Sequence, residues 1–238
     1  ENVAIGYQAL DAFTTGGSNT VVGSYAGSGI TTGGSNVFIG GQAGISITDH
    51  SRNVTIGDGA GRAAAGNYAN NVIVGYGTAD RTTGDYQVII GAQAMAGTSV
   101  TGENNTVMGF QAHGISTGPG AAANNVTIGF QAQYHSSGSN NVAIGYKAGF
   151  DNQAAGQTFV GYQAGTNVTS GAGLTAVGYQ AATSMVDGHS NTAFGYQALY
   201  SEVASDESTA IGYRSLYSQS GSTSTLGNTA VGNLAGYN

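Results

Sequence analysis

A short apolar phrase alternates along this chain with longer polar stretches: Asn2-Val3-Ala4-Ile5-Gly6-Tyr7-Gln8-Ala9 returns, edited, until Asn228-Thr229-Ala230-Val231-Gly232-Asn233-Leu234-Ala235. The glycine closing the apolar run occurs at Gly6, Gly23, Gly40, Gly57, Gly75, Gly91, Gly109, Gly129, Gly145, Gly161, Gly178, Gly195, Gly212 and Gly232, which makes 14 copies at intervals of 16 to 20 residues. Self-similarity at such a period is the signature of a solenoid, in which each copy buries its apolar face only by stacking on its neighbours. Three apolar residues before each glycine predict one short strand per copy. The expected fold class is all-β, a parallel β-solenoid of 14 coils of about 17 residues, with 1–238 as a single repeat domain.

The period of 2 along a strand puts its first and third residues on one face and its second on the other. The third position holds Ile5, Val22, Ile39, Ile56, Val74, Ile90, Met108, Ile128, Ile144, Val160, Val177, Phe194, Ile211 and Val231, and the first is Val or Thr throughout. This bulky, β-branched face is expected to form the coil core. The midpoint residues would then point outward: Ala4, Val21, Phe38, Thr55, Ile73, Ile89, Val107, Thr127, Ala143, Phe159, Ala176, Ala193, Ala210 and Ala230. Only two of them are polar, so they would make an apolar stripe larger than a soluble monomer exposes, and sister copies are expected to cover it as an oligomer interface.

Asn opens ten of the motifs, at Asn2, Asn19, Asn36, Asn53, Asn71, Asn105, Asn125, Asn141, Asn191 and Asn228, with Gln87, Gln157, Leu174 and Ser208 standing in elsewhere. Asn tolerates left-handed backbone and its amide bonds readily to neighbouring main chain, so the column is expected to form a corner ladder of hydrogen bonds. After the glycine comes Tyr or Phe in nine copies. A file of rings suits an interchain seam, with a sugar-binding face as the alternative. Polar segments of variable length separate the motifs and belong on the surface.

Composition narrows the function. Charged residues are 7% of the chain, glycines number 42, and the formal net charge is −7. Arg52, Arg62, Arg81, Lys147 and Arg214 are scattered, so no basic stripe is available to neutralise nucleic-acid phosphates. There is no cysteine and no apolar run long enough for a membrane-spanning helix. His50, His113, His135 and His189 sit at non-equivalent positions without metal-ligand spacing and are read as solvated loop residues. Asp80, Asp85, Glu202, Asp206 and Glu207 are read as surface carboxylates. No catalytic constellation, cofactor or metal site emerges, so no enzymatic activity is expected. Glu1 in place of an initiator Met suggests a piece of a longer fibrous protein.

Asn2-Val3-Ala4-Ile5-Gly6 and Asn141-Val142-Ala143-Ile144-Gly145 resemble the head repeats of YadA-like trimeric autotransporter adhesins. Asn191-Thr192-Ala193-Phe194-Gly195-Tyr196-Gln197-Ala198 is similar to the repeat arrays of phage tail-fibre proteins. The resemblance implies a left-handed β-roll, a homotrimer, an extracellular, cell-surface or virion setting, and a structural fibre that reaches a host-surface receptor or glycan. Two other readings stand beside it. One is the subunit of a self-assembling filament, suggested by repeats that run to both ends of the sequence; the other is a monomeric ice- or glycan-binding solenoid.

Overall fold

A computed structural model describes residues 1–62, 68–80, 84–97, 101–114, 122–218 and 227–237. Arg81, Pro119, the Thr82-Thr83 pair, and residues 115–120 and 219–223 of the two longest inter-motif segments lie outside the described residues. The described chain is a parallel β-solenoid with one three-residue strand per coil and no helix. It forms two compact units, residues 1–124 and 125–238. The first unit carries β1 (Val3–Ile5), β2 (Thr20–Val22), β3 (Val37–Ile39), β4 (Val54–Ile56), β5 (Val72–Val74), β6 (Val88–Ile90) and β7 (Thr106–Met108). The second carries β8 (Val126–Ile128), β9 (Val142–Ile144), β10 (Thr158–Val160), β11 (Thr175–Val177), β12 (Thr192–Phe194), β13 (Thr209–Ile211) and β14 (Thr229–Val231).

Within each unit, successive strands pair in parallel with like positions opposite: Val37 with Val54, Phe38 with Thr55, Ile39 with Ile56. So short a strand could not hold alone. Coil-to-coil bonding continues past it, as Gly40 N–H donates to Val22, Gln42 N–H to Ser24 and Gly44 N–H to the Ala60 carbonyl. The turn after each strand is therefore part of the ladder.

The motif glycine makes that turn possible. Its φ lies between 131° and 141° in every copy, a region that side chains disfavour. In all but the last copy of each unit, a Cβ there would fall within 3.0 Å of the next coil's glycine backbone. Two more left-handed residues follow in each coil, as at Gln42 (φ 56°) and Gly44 (φ 61°), and another precedes the corner Asn, as at Ser35 (φ 59°). The corner asparagines themselves are not left-handed; from Asn19 to Asn191 the residue before each of them takes that conformation.

The burial of the two strand faces reverses the sequence expectation. Val21, Phe38, Ile73, Ile89, Val107, Ala143, Phe159, Ala176, Ala193 and Ala210 are each fully enclosed by their own chain, and Ala230 nearly so. They line the coil interior and are not an oligomer interface; Ala4, in the first coil, is exposed. The third-position residues expected as core, Ile5, Val22, Ile39, Ile56, Val74, Ile90, Ile128, Ile144, Val160, Val177, Ile211 and Val231, point outward and are half-buried or exposed. The reason is width. Opposite the midpoint stands the buried column Ala26, Ala43, Ala60, Thr78, Ala94 and Ala112, continued in the second unit by Ala132, Ala148, Ala164, Ala181, Ala198 and Ser215. Only one strand residue per coil fits between the walls.

The interior is matched by volume. Phe38 is met by Gly27 and Gly44, where an added methyl would lie 2.8 and 3.1 Å from the ring. Phe159 is met in the same way by Gly149 and Gly165. Where the midpoint shrinks to Ala193, the residue at the place of those glycines grows to the buried Leu199. Such compensation keeps a core at crystal-like density.

Replacing Gly161 by Ala adds both conformational strain and a clash with Gly178, whereas Gly77, left-handed but facing open space, meets only the strain. Chemical denaturation should show a loss upwards of about 4 kcal/mol for Gly161→Ala and about 1–2 kcal/mol for Gly77→Ala.

Candidate interaction face

The corner asparagines form the ladder that their spacing suggests. The Asn2 Oδ1 accepts the backbone N–H of Asn19 at 2.9 Å and its Nδ2 at 3.0 Å. The pattern repeats from Asn19 to Asn36 and from Asn36 to Asn53, and backbone donors continue it through Asn71 to Gln87 and Asn105. Most of the Nδ2 groups also tie down a loop carbonyl, as Asn36 does His50 at 2.9 Å and Asn141 does Ala154 at 3.0 Å, whereas the buried Nδ2 of Asn71 has no partner among the described residues. In the second unit the ladder runs Asn125, Asn141, Gln157 and ends on the N–H of Leu174, whose side chain has nothing to pass on. It resumes from Asn191 to Ser208. From Asn19 to Asn191 these amides are buried and, the Asn71 Nδ2 apart, engaged, so they are a structural spine rather than a ligand row.

A second amide ladder is one the sequence reading missed. Gln180 donates to Gln163 at 3.0 Å, Gln197 to Gln180 at 2.9 Å, and Arg214 Nε to Gln197 at 2.8 Å; Gln111 donates to Gln93 in the first unit. All six of these residues have positive φ. The amide chain helps offset a conformation that costs about 1–2 kcal/mol per non-glycine residue. Its signal was the recurrence of Gln two places after the glycine.

The outer surface of each sheet is apolar and regular. Ile39 is 38% exposed, Ile144 37%, Ile211 38% and Phe194 53%, beside a first column of Val or Thr. Next to it in the second unit runs an unbroken aromatic file: Phe130, Tyr146, Tyr162, Tyr179, Tyr196 and Tyr213, stacked at 5.0 to 5.3 Å between ring centroids. A second file joins Tyr200, Tyr217 and Tyr237 at 5.1 Å. The ring faces are spent on each other, which leaves edges and phenol oxygens outward. In the first unit the file positions hold Ser24, Gly41, Asp58 and Ala92 among the rings, so the outer strand columns recur in both units but the tyrosine file does not. Compared with known proteins, the chain matches no family model, no curated protein and no solved structure.

The titratable groups do not converge. Among the described residues no three of His, Asp and Glu gather as a metal site. Asp80 pairs with Arg62 at 3.1 Å, Asp206 accepts the His189 N–H, and His135 meets Asp151 at 2.7 Å beneath the Phe150 ring. Two residues read as solvated are inside. His113 is buried, neither ring nitrogen has a hydrogen-bond partner among the described residues, and burial pulls its pKa down to about 4. Glu202 is buried in the place that Val168 and Met185 take in the preceding coils; desolvation raises its pKa against two backbone N–H donors.

Ala193→Asp should unfold the chain at every protein concentration, since the carboxylate enters the chain's own interior; the expected loss in denaturant titration is about 3–5 kcal/mol. His113 supplies an acid weakness. Its folded pKa lies below the unfolded 6.5, so the unfolded chain binds the extra proton and stability falls as pH drops from 6.5 towards 4. His113→Met, which copies Met95 one coil earlier, should remove a loss on the order of 3 kcal/mol in melts recorded across that window.

Proposed function

We propose that this chain is a structural repeat segment of a homotrimeric extracellular or virion fibre, serving as a spacer and carrying no enzymatic step. The observation that carries the reading is the outward strand face. After one chain has closed its own core, a column of Ile, Val, Phe and Met and a column of Val and Thr still face outward on consecutive coils of each unit. Soluble chains rarely leave apolar surface so continuous without a partner, and strands buried on both faces read as apolar on both. A second and third copy offer the same coil repeat, so every rung meets an equivalent rung.

On this reading the interface lies on Val3, Ile5 and their equivalents, opposite to the midpoint column that periodicity alone suggests. The resemblance to trimeric adhesin heads and tail-fibre arrays supports three copies over two. The low charge and the absence of a basic stripe fit a surface-displayed spacer.

Light scattering of the purified chain should give three times the single-chain mass. Ile144→Lys combined with Ile211→Lys, both outward, should reduce it to one while each chain keeps its solenoid circular-dichroism spectrum. A wild-type mass of one chain, or a variant mass unchanged at three, would refute the trimer.

A further inference from the structure

The tyrosine file of the second unit has a reactive geometry that a fibre spacer does not require. Adjacent rings from Tyr146 to Tyr196 stack with centroids 5.0 Å apart and planes within 8° of parallel. Tyr196–Tyr213, Tyr200–Tyr217 and Tyr217–Tyr237 continue the arrangement at 5.1 to 5.3 Å. The rings of the long file are also within reach of solvent, from 39% exposed at Tyr146 to 44% at Tyr213. The first unit differs: Tyr7 and Tyr25 meet edge-on at 79°, Tyr68 is enclosed, and Tyr76 and Tyr86 have no ring partner among the described residues.

We propose that the two tyrosine files are sites of oxidative coupling, in which neighbouring coils of one chain are joined by dityrosine. When two phenoxyl radicals combine, the new bond forms between π lobes on carbons ortho to the oxygens, and those lobes stand perpendicular to the rings. Parallel rings 5.0 Å apart turn these lobes towards each other, so the ortho carbons can meet by an approach of neighbouring coils along the stacking direction. Holding the two rings parallel and adjacent removes part of the entropic cost of encounter. Edge-on rings, as at Tyr7 and Tyr25, offer no such approach.

The chemistry balances with hydrogen peroxide as oxidant and a haem peroxidase as one-electron carrier. Two phenolic hydrogens are abstracted from adjacent tyrosines while one peroxide is reduced to two waters. The two ortho carbons then bond, and the hydrogen on each moves to its own oxygen, restoring two phenols. With no cysteine and no tryptophan in the chain, tyrosine is the readiest one-electron donor it has. Each link would staple successive coils where a local opening must otherwise separate them.

The test is treatment of the full chain with a haem peroxidase and hydrogen peroxide, followed by dityrosine fluorescence, denaturing electrophoresis and peptide mass mapping. Expected is dityrosine within chains that migrate singly, with a loss of two hydrogens per link and links mapping to Tyr146–Tyr162, Tyr179–Tyr196 or their neighbours. The combined variant Tyr162→Phe, Tyr196→Phe and Tyr217→Phe keeps every ring, as Phe130 already stacks on Tyr146 at 5.2 Å, yet leaves no two tyrosines adjacent in either file. It should melt like the wild type and lose the intrachain product. Intrachain dityrosine undiminished in the variant, or wild-type product found only between chains, overturns the proposal. Neither result depends on the oligomeric mass, so the fibre reading stands or falls separately.

Discussion

The close approach of backbone to backbone at the motif glycine governs everything built on it. Each coil leaves its strand through a residue with φ near 135° whose α-carbon lies almost against the next coil's glycine. No side chain can occupy that contact. The turn it permits is tight enough for the alanine a few residues later to face the strand midpoint across a single layer of side chains. A narrow interior follows, and with it the decision about which strand face is inside.

Three rows of bonds running from coil to coil then share the work of holding register: main-chain donors along the strand and turn, the corner amides, and the glutamine amides. Each row makes an otherwise unfavourable feature tolerable. The corner amides satisfy loop carbonyls that burial would leave unpaired. The glutamine row accompanies left-handed residues that are not glycine. Breaks in the rows are equally informative. Leu174 trades an amide rung for apolar packing.

Repeat number, strand position, parallel pairing and the asparagine spine were all legible from the sequence, because each is a periodic signal and the structure repeats with the same period. The inward face was misjudged because alternation separates two faces without saying which is enclosed. Bulk favours the third column as the core over a midpoint column ranging from Ala to Phe. That range was the better clue. Phe38 and Phe159 each have glycine six residues later, while Ala193 and Ala210 have leucine there. In those four coils a large residue in one column meets a small one in the other, as columns sharing a closed space must; a uniformly bulky column has no neighbour to answer to. His113 and Glu202 were misplaced for a related reason, since polar type was weighed above position within the coil.

Like-on-like pairing also sets the terms on which such a chain can change length. A coil inserted or removed whole leaves every donor opposite an acceptor, so hydrogen bonding treats coils as interchangeable beads. The interior does not. Phe38 relies on the glycine of its own coil and on Gly27 of the one before, and Phe159 relies in the same way on Gly149. A rearrangement that put the coil carrying Leu199 before Phe159 would set a full ring against a full side chain. Coil order is thus written in volume while coil number is left free, and recombination within this gene would be filtered by steric fit between successive beads.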